Sequence, residues 1–262
     1  MYFCGIDIGS ITAKCVILKD EEIAASVVAL RGYSNAEAAT AVLDQALGQV
    51  GIGQAGLVRV VSTGYGRAAV REAHQQFTEI SCHALGAGYL VPGAATVIDV
   101  GGQDSKAISI DPAGKVQNFV MNDKCAAGTG RFLEVMAHAL EVDLKDFGAM
   151  SLKAASKAEI SNMCTVFAES EVISRIASGA TREEIIAGIH DAMASRIASM
   201  AARVEIRPKI VLTGGVSKNI GLVRALEDRL GQKLEVPPQA QIAGALGAAL
   251  MAVKTLDVGR QT

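Results

Sequence analysis

Two stretches of this chain repeat one arrangement of an acid, a glycine and a lysine. Asp7-Ile-Gly-Ser-Ile-Thr-Ala-Lys14 and Asp99-Val-Gly-Gly-Gln-Asp-Ser-Lys106 share the order Asp, apolar, Gly, Gly or Ser, two variable positions, a small residue, Lys. Apolar runs flank both, at 2–6 and 15–18 around the first and at 96–98 and 107–110 around the second. Strand, tight polar turn and returning strand make a hairpin able to grip phosphate. Glycine lets the backbone come close, the N–H groups of the turn point at the anion, and the carboxylate can hold a metal ion through water. One such turn says little, since many strands end in Asp and Gly. Two matched copies, facing each other, would enclose a nucleotide, and the duplication predicts an ATP cleft.

A third glycine pair, Gly214-Gly215, follows the apolar run that ends in Leu212-Thr213. Without a side chain it can lie under an adenine ring, and Gly244, near the start of the last expected helix, completes that wall. The cysteines carry a second kind of chemistry. A lone cysteine is most often a small core residue, and Cys4, Cys15 and Cys82 fit that reading. Cys125 and Cys164 each stand immediately before an expected helix, whose positive end lowers a thiol pKa. Two thiolates are too few for a closed metal site. A two-fold dimer would bring four to its axis, which suits zinc or an iron–sulfur cube. The spacing matches no zinc ribbon, which favours iron–sulfur.

These residues need elements to position them. The first hairpin is followed by an expected strand at 23–30 and a helix at 36–50 capped by Ser34 or Asn35. A strand at 58–62 precedes the glycine turn Thr63-Gly64-Tyr65-Gly66, and a helix over 79–90 leads to Val91-Pro92-Gly93, an expected lobe boundary. The second hairpin turns at Asp111-Pro112-Ala113-Gly114, with a third strand at 116–121. Helices are expected at 131–142, at 167–178, and after the capping box Thr181-x-x-Glu184. A strand at 209–213 and helices at 219–230 and 243–253 complete the chain. Strands then helices, twice, give an α/β fold of two similar lobes: residues 1–92, residues 93–240 carrying Cys125 and Cys164, and a C-terminal helix in 241–262 returning to the first lobe.

Composition narrows the partners. The chain has 262 residues and a formal net charge of −2, and its lysines and arginines form no cluster. Nucleic acid and anionic membranes are therefore not the expected partners. The longest apolar stretch, 84–100, is broken by three glycines and Pro92, so no membrane span is expected. An odd count of five cysteines, with no basic leader, suggests reduced thiols in a cytoplasm.

The two hairpins together with Thr213-Gly214-Gly215-Val216 resemble the actin-like (ribonuclease H-like) ATPase superfamily, in which two lobes flank an ATP cleft. Glu79 matches the acid that orders the attacking water in some members. Asn122-Asp-Lys-Cys-Ala-Ala-Gly-Thr-Gly-Arg131 and Cys164-Thr-Val-Phe-Ala-Glu-Ser-Glu171 are far more specific. With Glu79-Ile-Ser-Cys-His83 and the stretch 244–250, they make the chain similar over almost its whole length to the activator component of 2-hydroxyacyl-CoA dehydratases. That resemblance implies an ATPase that drives one electron from a 4Fe–4S cluster onto a partner enzyme. It implies a homodimer sharing one cluster on Cys125 and Cys164, a ferredoxin or flavodoxin as electron donor, and an iron–sulfur dehydratase or reductase as acceptor. It also implies Asp7, Asp99, Glu79 and Gln103 in catalysis with Mg²⁺. Gly9, Ser10, Thr12, Lys14, Gly101, Gly102, Lys106, Gly128, Thr129, Gly214, Gly215 and Gly244 would bind ATP. A route from phosphates to cluster is expected to run along the strand, turn and strand that separate 99–106 from Cys125. Partners of the benzoyl-CoA-reductase or double-cubane type stay open, as do two rivals: a small-molecule kinase of the same fold and a nucleotide-gated scaffold.

Overall fold

The protein is represented by a computed structural model that describes residues 1–160 and 165–258. It divides into two compact units, one made of Met1–Ala94, Ile110–Gln117 and the chain from Pro237 onward, the other of Ala95–Ser109 and Asn118–Val236.

In the first unit β1 (Tyr2–Ile8), β2 (Thr12–Lys19) and β3 (Glu22–Leu30) form an antiparallel meander. The helix α1 (Asn35–Val50) carries the chain back so that β4 (Leu57–Thr63) pairs parallel with β1, as a parallel return requires. The short β5 (Gln75–Gln76) and α2 (Glu79–Leu90) follow, and the sheet order is β3-β2-β1-β4-β5. The second unit repeats the plan with β6 (Thr96–Val100), β7 (Ser105–Ile110) and β8 (Val116–Asn122). Next come α3 (Gly130–Ala139), α4 (Leu144–Ser151), α5 (Thr165–Ala177) and α6 (Arg182–Ala201), then β9 (Ile210–Thr213), α7 (Ile220–Leu230) and β10 (Leu234–Glu235). Its sheet order, β10-β9-β6-β7-β8, is the same order read from the other edge. The last helix, α8 (Ala243–Val258), packs on β1 and α2.

Strand β1 is buried along most of its length because helices cover both faces. Cys4, Ile6 and Ile8 join Val42 and Leu43 of α1 in one core, while Phe3 joins Leu85 of α2 and Ala245 and Ala249 of α8 in another. The alternation of β-strand side chains divides one strand between two cores. A third core fills the second unit, where Ile98, Phe132, Phe147, Ile189 and Leu212 are all fully buried. No helix among the described residues is long and apolar enough to cross a membrane.

The expected caps are present. Ser34 accepts the Glu37 amide at the start of α1, and Thr181 with Glu184 closes a capping box at the start of α6. Three elements were not expected. The edge strands β5 and β10 are two residues each and carry no periodicity, and α4 buries only Phe147 and Gly148. The segment after Cys125 differs in kind. A three-residue 3₁₀ turn, Ala126–Gly128, comes first, then an extended Thr129, and α3 starts only at Gly130. The Thr129 hydroxyl donates to Ala126 O at 2.9 Å, the local bonding by which threonine competes with helix. So short a turn aligns too few peptide dipoles for the helix-end argument to apply to Cys125.

A buried histidine joins three helices of the second unit. Asn219 caps α7 by accepting the Leu222 amide on Oδ1, so its Nδ2 donates to His190 Nε2 at 3.0 Å. His190 Nδ1 then donates to Ser151 Oγ at 2.9 Å, and that hydroxyl donates to Gly148 O. Every group is satisfied only by the neutral imidazole, and burial lowers the His190 pKa from 6.5 to about 4. The unfolded chain therefore takes the proton first as pH falls. The stabilisation is fully present above pH 6.5 and is lost as pH drops toward 4, roughly 3 kcal/mol in all. Urea unfolding of wild type and His190→Gln checks this. The stability gap between them should shrink between pH 7.5 and 4.5, and a gap independent of pH would refute it.

Candidate active site: two acid–lysine cradles and a cysteine turn

In the first unit, Asp7 on β1 lies directly across from Lys14 on β2 and Thr63 on β4. Lys14 Nζ donates to Asp7 Oδ2 at 2.8 Å, and the carboxylate is buried. The turn closes with Gly9 N donating to Thr12 O at 3.0 Å, leaving Ser10 and Ile11 at the partly exposed tip. Ser10 O accepts from Arg31 Nε. Glu79 opens α2, and both its charge and that of Asp7 reach Cys82. Burial, more than those charges, pushes the Cys82 thiol up to about 12, so it stays protonated. A Cβ on Gly244 would stand 2.8 Å from His83 Nε2 and 3.1 Å from Asp7 Oδ2, which puts the start of α8 against this cradle.

The second unit builds the same geometry from Asp99 on β6, Lys106 on β7 and Thr213 on β9. Its turn closes with Gly101 N donating to Asp104 O at 2.9 Å, the same spacing as Gly9 to Thr12. Asp104, in a position that reads as variable, is the residue missed from the sequence. Lys106 Nζ donates to Asp104 Oδ2 at 2.6 Å and to Asp99 Oδ2 at 3.4 Å, and the Thr213 hydroxyl donates to Asp99 Oδ1 at 2.8 Å. All three charged groups are at most 4% exposed. Two carboxylates against one ammonium leave a negative charge in a buried place, which suits a hydrated divalent cation. The first cradle has Thr12 at the equivalent point and no such surplus from its hairpin. Gln103 is exposed at the turn, beside Gly102.

The duplication extends to a third strand. Thr63-Gly64 after β4 and Thr213-Gly214 after β9 are equivalent, with φ of +85° and +89° at the two glycines. A side chain on Gly64 would strike Asp7 Oδ1, and one on Gly214 would strike the Val100 carbonyl and come within 2.9 Å of Asp99 Oδ1. Each glycine lets a turn close over its aspartate. Gly215 begins a 3₁₀ turn, Gly215–Lys218.

A direct connection joins the second cradle to Cys125. Gly130 N donates to Gly101 O at 2.9 Å and Arg131 N to Gly102 O at 2.8 Å, so the first amides of α3 are held by carbonyls of the phosphate-type turn. Asn122 grips Cys125 from the other side. Its Nδ2 donates to Cys125 O at 2.7 Å, and its Oδ1 accepts the Cys125 amide at 3.2 Å. Gly128 packs near Asn122 and the stem of Arg196, and Thr129 is fully buried. Cys125 is half-buried, whereas Cys4 and Cys15, with sulfurs 3.4 Å apart, are fully buried. The Cys15 thiol and then burial push Cys4 well above the ordinary range. Cys164 lies outside the described residues. Among the described residues no group of three or more His, Cys, Asp or Glu could hold a metal ion.

Residues 4–252 match the sequence profile of the BadF/BadG/BcrA/BcrD ATPase family. The chain belongs to this family. It is 49% identical over 255 residues to the activator of lactoyl-CoA dehydratase from Anaerotignum propionicum, covering 96% of this chain and 97% of that one. The crystal structure of component A of the (R)-2-hydroxyglutaryl-CoA dehydratase of Acidaminococcus fermentans superposes with a TM-score of 0.95 at 45% identity, covering 98% and 99%. The activator of the 2-hydroxyisocaproyl-CoA dehydratase from Clostridium difficile, with bound ADPNP, superposes with a TM-score of 0.93 at 43% identity, covering 100% and 97%. The expected α/β fold of two similar actin-like halves and the ATPase class are both borne out.

Proposed function

We propose that this chain is the ATP-dependent one-electron donor that activates a 2-hydroxyacyl-CoA dehydratase. The observation that carries the reading is the pair of hydrogen bonds from Gly130 and Arg131 to Gly101 and Gly102. A kinase has no use for a phosphate turn tied to a cysteine-bearing segment, and an electron donor gated by ATP does. In this reading the turns at Gly9-Ser10 and Gly101-Gly102 take phosphate oxygens on the amides of Ser10 and Gly102, those of Gly9 and Gly101 closing the turns, and Asp99 with Asp104 holds Mg²⁺ through water. Lys14 and Lys106 balance charge, and Glu79 and Gln103 orient the attacking water. Cys125 and Cys164 from each of two copies supply four thiolates, the ligand set of a cube. When bound, a 4Fe–4S cluster would supply the store for one electron, loaded from a ferredoxin or flavodoxin. Movement of the Gly101-Gly102 carbonyls between ATP and ADP states pulls on α3 and the Cys125 turn, so two arrangements of one packed element are biased by nucleotide.

The test is electron transfer itself. Protein purified without oxygen should be brown, and its reduced form should pass one electron to an iron–sulfur acceptor enzyme only with MgATP, not with a non-hydrolysable analogue. Protein that stays colourless after iron reconstitution while hydrolysing ATP would leave the kinase or scaffold readings.

A further inference from the structure

The second unit contains a cavity of about 290 Å³ whose lining includes none of the acid, lysine and threonine residues of the second cradle. It is lined by Ser105, Asn122, Ser199, Arg196, Arg203 and the apolar Met121, Ile197 and Met200, with Gly128 completing the wall. Two guanidiniums and three neutral hydrogen-bonding side chains line it, and no acid does. Neither Arg196 nor Arg203 makes a side-chain hydrogen bond or ion pair among the described residues, and Arg196 Nε is buried with no partner. Leaving a charge-bearing donor buried and unmatched is costly, and a ligand in the cavity would supply the acceptor that Arg196 Nε lacks among the described residues. The stem of Arg196 packs on Gly128, with Cδ 3.6 Å from where a Cβ would stand, which fixes its direction. The carbonyl end of α6 is close by, but its half negative charge is outweighed by two full positive ones.

We propose that this cavity binds a small oxyanion, a carboxylate or phosphate held by Arg196 and Arg203. Its volume sits at the lower edge of small-molecule sites, which fits a fragment-sized anion and excludes a nucleotide. Planar guanidinium donors match carboxylate and phosphate geometry. The site shares Asn122 and Gly128 with the Cys125 turn, so an occupant braces the residue that clamps that cysteine.

The experiment is calorimetric titration of inorganic phosphate, and separately of acetate, at constant ionic strength into protein already saturated with ADP and Mg²⁺. Saturable binding with one site per chain is expected, and which anion binds tighter identifies the source. Arg196→Met should weaken it at least tenfold, with ADP affinity unchanged in the same samples. Arg203→Met, at an exposed position, gives the same reading without risk to folding. No saturable binding of either anion, or equal affinity in both variants, would overturn the proposal and assign the arginines to an acidic group of a partner protein. ADP affinity reports separately on the ATPase reading.

Discussion

Replacing Cys125 with Ala should abolish the visible absorption and the reduced-state EPR signal of anaerobically purified protein, with ATP affinity changed by less than about twofold. The argument rests on how this cysteine is held. Both backbone groups of Cys125 are bound by Asn122, so the position of the sulfur is set without any contribution from the thiol itself. The thiol is half-buried at the edge of the core, and truncation to Ala removes a single sulfur atom there. The other described cysteines cannot substitute. Cys82 is pushed up to about 12 by burial, and Cys4 on β1 and Cys15 on β2 lie fully buried in the core that includes α1. Only a thiolate is a good ligand for iron. Cys82→Ala should therefore leave the spectrum intact. ATP affinity survives because the cradles around Asp7 and Asp99 do not include the thiol. A full cluster signal in Cys125→Ala would sink the assignment.

The two hairpins were legible because their chemistry is local. Acid, glycine and lysine at fixed spacing dictate a turn, and the antiparallel register then sets Asp7 opposite Lys14 and Asp99 opposite Lys106. The caps at Ser34 and Thr181 were legible for the same reason. What failed depends on distant strands. Thr63-Gly64 reads as an ordinary turn until β4 is seen beside β1, where it becomes the counterpart of Thr213-Gly214. Asp104 was hidden because a comparison of two copies discards the positions at which they differ, and the difference from Thr12 is what gives the second cradle its surplus charge. The helix expected over 131–142 is present as α3, but a 3₁₀ turn and an extended Thr129, which bonds back to Ala126, separate it from Cys125. A link to Cys125 was expected along β7 and β8, and two hydrogen bonds that no spacing announced also join Gly101 and Gly102 to α3 directly. Spacing along the chain does not encode such a shortcut.

Asp99→Asn should cut ATP hydrolysis about 100-fold, roughly 3 kcal/mol of transition-state stabilisation, while ATP affinity changes by only a few-fold. The substitution is close to isosteric in a carboxylate that is 2% exposed. The amide oxygen can still accept from Thr213, which donates at 2.8 Å in the native site, so the fold of the turn is kept. The backbone amides that take phosphate oxygens are likewise untouched, which is why binding persists. What disappears is one negative charge. Asp104 alone is then neutralised by Lys106, with which it pairs at 2.6 Å, and the cradle no longer attracts a divalent cation. Charge that develops on the phosphoryl oxygens and leaving group loses its metal partner. The Mg²⁺ concentration needed for half-maximal turnover should rise as well, which separates a metal defect from a folding defect. Steady-state hydrolysis across a Mg²⁺ titration, with ATP binding measured in parallel, decides the matter. Unchanged turnover in the variant would move the metal away from Asp99 and leave the acid of the second cradle as a structural partner of Lys106 and Thr213.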